Sequence, residues 1–268
     1  MTPGLIDPTT GESAAGNYFY EPKYNPYERT ATYQLEKGVR LNPGVLHTLV
    51  IYPPADEKDI TGIRAFDGAP LEKKKTVSFM TSETVTDPSH DVDDVWPVVD
   101  WCNETVGPPK LPAVRTVIGK CVGCHGGTNP MGRMDLSSPD AIRTSSIGVL
   151  AAEVVPLDHV GNTSQTPMIF GQGMPRIDPG NPGNSYLLYK LIINELNYPS
   201  PGDPAASDPF WERGLPPLEP PSNEEIQRLR DSFVWMDPMP VGGRLLADDM
   251  RALVVWIAQG AHMAQCVP

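Results

Sequence analysis

The sequence predicts a mainly α chain: a helical domain with long proline-rich loops over residues 101–268, preceded by a β-rich or irregular segment over residues 1–100. Three observations predict it. After residue 110, apolar residues recur at helical spacing in four separate runs. Before residue 100, the short β-favouring runs TLVIY and TVSFM stand among Pro, Gly and Asp clusters. The 31 prolines in 268 residues put much of the backbone outside regular elements.

In chain order, the first hundred residues come as strands and turns. Two or three strands are marginal by themselves, so this segment is either a small β domain or an extension lying over the rest. DPSHDVDDVWP, at 87–97, is acidic but lacks the aspartate spacing and distal glutamate of a calcium loop, and reads as a solvated turn. In LPAVRTVIGKCVGCH, Pro112 stands near a helix start, Val114, Val117, Ile118 and Val122 form the stripe, and Gly126-Gly127 follow its end. That puts CVGCH at a helix C-terminus.

GNSYLLYKLIINEL has Asn184 or Ser185 as its cap and Leu187, Leu188, Leu191 and Ile192 as its stripe. Residues 198–221 are too rich in Pro and Gly for regular structure and read as an inserted loop. Ser222 and Glu225 make a capping box ahead of Ile226, Leu229 and Phe233. The last helix, ADDMRALVVWIAQG, has Asp248 and Asp249 in its first turn, then Met250, Leu253, Val254 and Ile257, and closes on Gly260.

The net charge of -12 is spread along the chain. It argues against nucleic acid, which needs a basic face, and leaves a basic docking face on a protein partner as the electrostatic option. No apolar run approaches the roughly 18 residues of a membrane span. The opening MTPGLIDPTTGESAAG shows neither the basic nor the apolar region of a secretion signal, so the chain is expected to be either trimmed or not exported.

The chemistry concentrates in KCVGCHGG, residues 120–127. With 4 Cys and 5 His in the chain, C-x-x-C-H arises by accident in roughly one chain per thousand of this composition. On a helix Cys121, Cys124 and His125 share one face. Two thiols so placed can bond to the two vinyl groups of a haem while the imidazole reaches its iron. Cys102 and Cys266 remain, and an even remainder is what one disulfide leaves, implying an oxidising compartment; two unrelated buried thiols are the alternative.

With CVGCH, the middle helix after RIDPGNPGNSYLLYKL, then DPMPVGG and a final helix ending in VVWIAQGA, residues 110–262 resemble a class I, or mono-haem, c-type cytochrome domain. The resemblance implies a cytochrome c-like helical domain and one covalent haem c. In it Cys121 and Cys124 would carry the haem, His125 would be the proximal iron ligand and Met239 the distal one. Met174, Met236 and the histidines His47, His90, His159 and His262 remain alternatives for the distal place.

A loop carbonyl near Pro130 would fix the His125 ring, and Arg133, Arg176, Arg213, Trp211 or Trp235 would meet the haem propionates. Where the family often caps its last helix with Ser or Thr this chain has Leu246-Ala247, a loss of about 1 kcal/mol. The implied function is electron transport between redox proteins, without enzymatic activity, by a free carrier or a subunit of a larger electron-transfer complex, in the periplasm or outside the cell. Two other classes stay open: a haem enzyme or sensor with a displaceable sixth ligand, and a four-sulfur zinc protein built from Cys102, Cys121, Cys124 and Cys266.

Overall fold

The structure, a computed structural model, describes residues 5–6, 13–14, 23–32, 41, 43–56, 65, 69–84, 97–106, 110–151, 153–154, 164–165, 168–169, 172–200, 218–234, 237–264 and 266. Its contacts divide the chain into two units, residues 1–23 with 31–95, and residues 24–30 with 96–268. A short stretch near the N-terminus, residues 24–30, belongs with the second unit.

In the first unit, Leu46–Ile51 and Lys75–Met80 pair antiparallel in continuous register, from Leu46 opposite Met80 to Ile51 opposite Lys75. These are the TLVIY and TVSFM runs. Period-two alternation puts His47 beside Phe79, their rings 5.7 Å apart, while on the other face the hydroxyls of Thr48 and Ser78 bond at 3.1 Å.

The expectation of a mainly α, cytochrome c-like helical domain is not met. Among the described residues there are five α-helices: α1 (Val114–Gly119), α2 (Pro139–Ser145), α3 (Tyr186–Ile192), α4 (Asn223–Ser232) and α5 (Ala247–Ala258). Only α4 and α5 reach ten residues. Between them run 3-10 turns, bends and two-stranded ladders. Proline is the physical reason, because it removes an N–H and fixes φ. Pro139 and Pro182 each open an element, and Pro130, Pro175 and Pro240 lie in irregular chain.

The second unit is built on α5. This helix is apolar nearly all round, and every residue except Asp248 and Ala258 is buried. α1 packs against it through Val114, Val117 and Ile118, and Trp256 lies 5.9 Å from Trp101. Each such aliphatic side chain stabilises by about 1.5–3 kcal/mol when fully buried. Arg251 is buried as well and is held by Glu28 Oε1 at 2.9 Å and Asp248 Oδ1 at 3.0 Å. The missing Ser or Thr cap of α5 is half replaced, because Asp249 Oδ2 accepts the Leu246 amide at 2.8 Å.

Other signals read from the sequence appear in place. Ser222 and Glu225 make both bonds of the capping box, at 2.7 and 3.3 Å. Gly260, just past α5, has φ +96, the left-handed region that glycine enters freely. Ser185 precedes α3 but caps nothing there; its hydroxyl accepts the Asp178 amide instead, at 2.8 Å. Cys102 and Cys266 form a disulfide with Cα atoms 5.4 Å apart, which ties the chain before α1 to the tail after α5 across 164 residues.

Candidate functional site

The cysteine motif lies just past α1 rather than on it. Beyond Gly119 the backbone continues in tight turns: the Cys121 amide donates to Ile118 O at 2.9 Å, Cys124 to Cys121 O at 3.2 Å and His125 to Cys121 O at 2.9 Å. The helix stops because Gly119, Gly123, Gly126 and Gly127 crowd this stretch. Gly126 is needed for space, since a Cβ there would come within 2.7 Å of Val122 O and 2.8 Å of its Cγ1. The turn leaves Cys121 half-buried and Cys124 exposed.

His125 is fixed through its ring. A carbonyl only accepts, so the 2.9 Å contact between His125 Nδ1 and Met131 O puts the proton on Nδ1. Nε2 is left with its lone pair for a metal. Burial lowers the affinity of this ring for a second proton, and the charges of Arg176 and Lys190 act in the same direction against the backbone hydrogen bonds. The acceptor is one residue beyond Pro130, whose own carbonyl takes the Arg133 amide at 3.0 Å. Pro130 is thus beside the bond that orients the imidazole and not part of it.

His125 lines a pocket of about 70 Å³, partly open to solvent, together with Gly132, Met134, Ala151, Arg176, Tyr186, Leu187, Lys190 and Met239. Two residues 114 positions apart in the sequence numbering thus meet on one cavity. Its walls are largely apolar, with the guanidinium-bearing Arg176 and the ammonium-bearing Lys190, both buried residues, among them. Arg176 also staples the site: Nη1 donates to Arg133 O at 2.9 Å and to Ser145 O, and Nη2 to Gly132 O at 2.8 Å.

Met239 is held by its backbone. Its amide donates to Lys190 O at 2.9 Å. Its carbonyl accepts from Asn194 Nδ2 at 3.1 Å and Asn197 Nδ2 at 3.0 Å. Asn194 Nδ2 also reaches the carbonyls of Pro240 and Gly243, at 3.2 and 3.3 Å. Both asparagines are buried in the turns that follow α3, and two side-chain amides thereby set the course of the DPMPVGG segment.

The other distal candidates stand elsewhere or outside the description. Met174 is fully buried in the core, its carbonyl taking the Ala151 amide at 2.9 Å. His47 belongs to the hairpin of the first unit, and His262 follows α5, where its carbonyl accepts the Trp256 indole at 2.7 Å. Met236, His90, His159, Trp211, Arg213 and Trp235 lie outside the described residues.

No family model, curated protein or solved structure matches this chain. Its chemistry is read from its own residues. Among the described residues no group of three or more His, Cys, Asp or Glu gathers as a metal site. The four-sulfur zinc arrangement is not available, because Cys102 and Cys266 are bonded to each other. The residues present do fit a covalently held haem: two thiols one turn apart, a neutral imidazole with Nε2 to offer, and a thioether on the same apolar pocket. Asn194, Asn197, Lys190 and Tyr186 were not marked by any sequence motif; lone asparagines and a lysine inside a stripe carry no local pattern that points to a site.

Proposed function

We propose that the chain is a mono-haem c-type cytochrome, a carrier of single electrons between redox proteins and not an enzyme. The observation that supports it best is the meeting of His125 and Met239 on one pocket immediately beside the CVGCH turn. When bound, a haem c supplies an iron that cycles between ferrous and ferric states.

The chain's own residues account for the rest of the chemistry. Cys121 and Cys124 would hold a haem through their thiols, each as a thioether to one of its two vinyl groups. His125 offers Nε2 to the iron, with its orientation fixed by Met131 O at 2.9 Å. Met239 would offer a soft, neutral thioether, a donor type that favours reduced iron and raises its potential. A haem held by both His125 and Met239 would have no place left for a substrate. Arg176 and Lys190 place positive charge at the pocket, where two propionates need it. Met134, Ala151 and Leu187 give the pocket apolar walls.

Electron exchange with a partner is then a matter of docking. The acidic chain, at net -12, favours a partner with a basic face. The disulfide of Cys102 and Cys266 fits a periplasmic or extracellular site. Among the described residues no helix is long and apolar enough to cross a membrane.

Visible spectra of protein from a host competent in haem attachment test the reading. A sulfur-to-iron charge-transfer band in the oxidised form, and slow, partial carbon monoxide binding to the reduced form, are expected. Loss of the band in Met239→Ala, with the haem still attached, identifies the thioether. Immediate stoichiometric carbon monoxide binding by the unmodified protein contradicts a closed carrier and favours a haem enzyme or sensor.

A further inference from the structure

Tyr27 stands far from the motif in sequence, yet it belongs to the second unit with residues 24–30. It is fully buried, and its ring lies 4.9 Å from that of Tyr198. Its hydroxyl donates to the backbone carbonyl of Asn197 at 2.7 Å. Burial raises its pKa, so the hydroxyl keeps its proton and stays a donor.

Asn197 is the hub that this bond secures. Its Nδ2 donates to Leu191 O at 2.8 Å and to Met239 O at 3.0 Å, while its Oδ1 accepts the Leu245 amide at 2.7 Å. Every polar atom of that side chain is spent on backbone: the end of α3, the methionine loop and the lead into α5. A displacement of Asn197 must therefore move Met239 or break a buried bond, and such bonds are expensive to leave unmade.

We propose that Tyr27 is a positioning residue for the distal thioether, acting through Asn197 to hold the Met239 loop against the iron. This rests on the reading of Met239 as a ligand. A residue brought in from beyond the motif-bearing region would then govern how readily another donor replaces the methionine. Firmness of the sixth ligand is a separate property from fold stability, so the two can be measured apart.

The test is imidazole titration of the oxidised, haem-bearing full-length protein, followed by loss of the charge-transfer band. Tyr27→Phe removes one hydroxyl and keeps the ring. Imidazole binding should tighten roughly fivefold, the equivalent of one buried hydrogen bond. Ile142→Val, a core change in α2 at a fully buried position, destabilises the fold comparably and should leave imidazole binding unchanged.

Equal imidazole affinity in Tyr27→Phe and the unmodified protein, with the band intact in both, overturns the proposal alone. An absent band in the unmodified protein overturns the ligand reading beneath it. Should Tyr27→Phe fail to fold, 3-fluorotyrosine at position 27 keeps the shape and strengthens the donor. It should weaken imidazole binding, and an unchanged affinity there likewise overturns the proposal.

Discussion

Lys120 donates from Nζ to Asp249 Oδ2, which joins the residue before the first thiol to the first turn of α5. Asp249 Oδ2 also accepts the Leu246 amide at 2.8 Å, so one buried carboxylate both starts the last helix and anchors the end of the first. Asp249→Asn keeps an acceptor for the amide and loses the ion pair; Asp249→Ala loses both. Chemical denaturation should show a loss of about 1 kcal/mol for the first and about 2–3 kcal/mol for the second. Equal losses would mean that the cap contributes nothing, and no loss in Asp249→Asn would mean the same of the pair with Lys120.

Gly126→Ala should interfere with the turn that presents the motif. The new Cβ meets the Val122 carbonyl oxygen at 2.7 Å, a contact that can be relieved only by moving backbone. A destabilisation of about 1–3 kcal/mol is expected, with a reduced yield of attached haem. Thermal unfolding and the ratio of haem absorbance to protein read both effects.

Removing the disulfide in Cys102→Ala/Cys266→Ala frees a loop of 164 residues in the unfolded chain. The chain-entropy argument gives a loss of up to about 5 kcal/mol. The denaturation midpoint should fall accordingly, while the spectrum of attached haem stays the same. A changed spectrum would show that the crosslink also shapes the pocket.

The haem-free chain should lose stability in alkali through Cys121. Burial pushes its thiol up from 9.0 to about 11; Asp249 and Cys124 add to the rise and Lys120 opposes it. Between those two values the native state keeps a proton that the unfolded chain has released. Stability is therefore full below pH 9 and falls as pH rises toward 11. With partial exposure discounted, the loss is about 1–2 kcal/mol, and it should vanish in Cys121→Ala. Denaturation series at pH 8 and pH 10.5 give the comparison.

Local chemistry was legible in the sequence wherever a short pattern carries a physical meaning. The Ser222–Glu225 box, the strands at TLVIY and TVSFM, the stripes of α3 and α5 and the leftover cysteine pair each depend on spacing or parity, and each has its counterpart in the structure. The fold class was misread because apolar periodicity counts residues and not hydrogen bonds. Around CVGCH the apolar stripe runs on to Val122, while glycines end the helix at Gly119. The clamp on Met239 was illegible for another reason: Tyr27 is 170 residues from Asn197 and Asn197 is 42 from Met239. No local propensity encodes a bond between such distant groups.

The central claim is that Cys121 and Cys124 become thioethers. An intact mass under denaturing conditions, on protein from a haem-attaching host after disulfide reduction and alkylation, tests it most directly. The predicted result is the chain plus one haem that acidified acetone does not extract, with label on Cys102 and Cys266 alone. A chain without added mass and with four alkylated cysteines would contradict it.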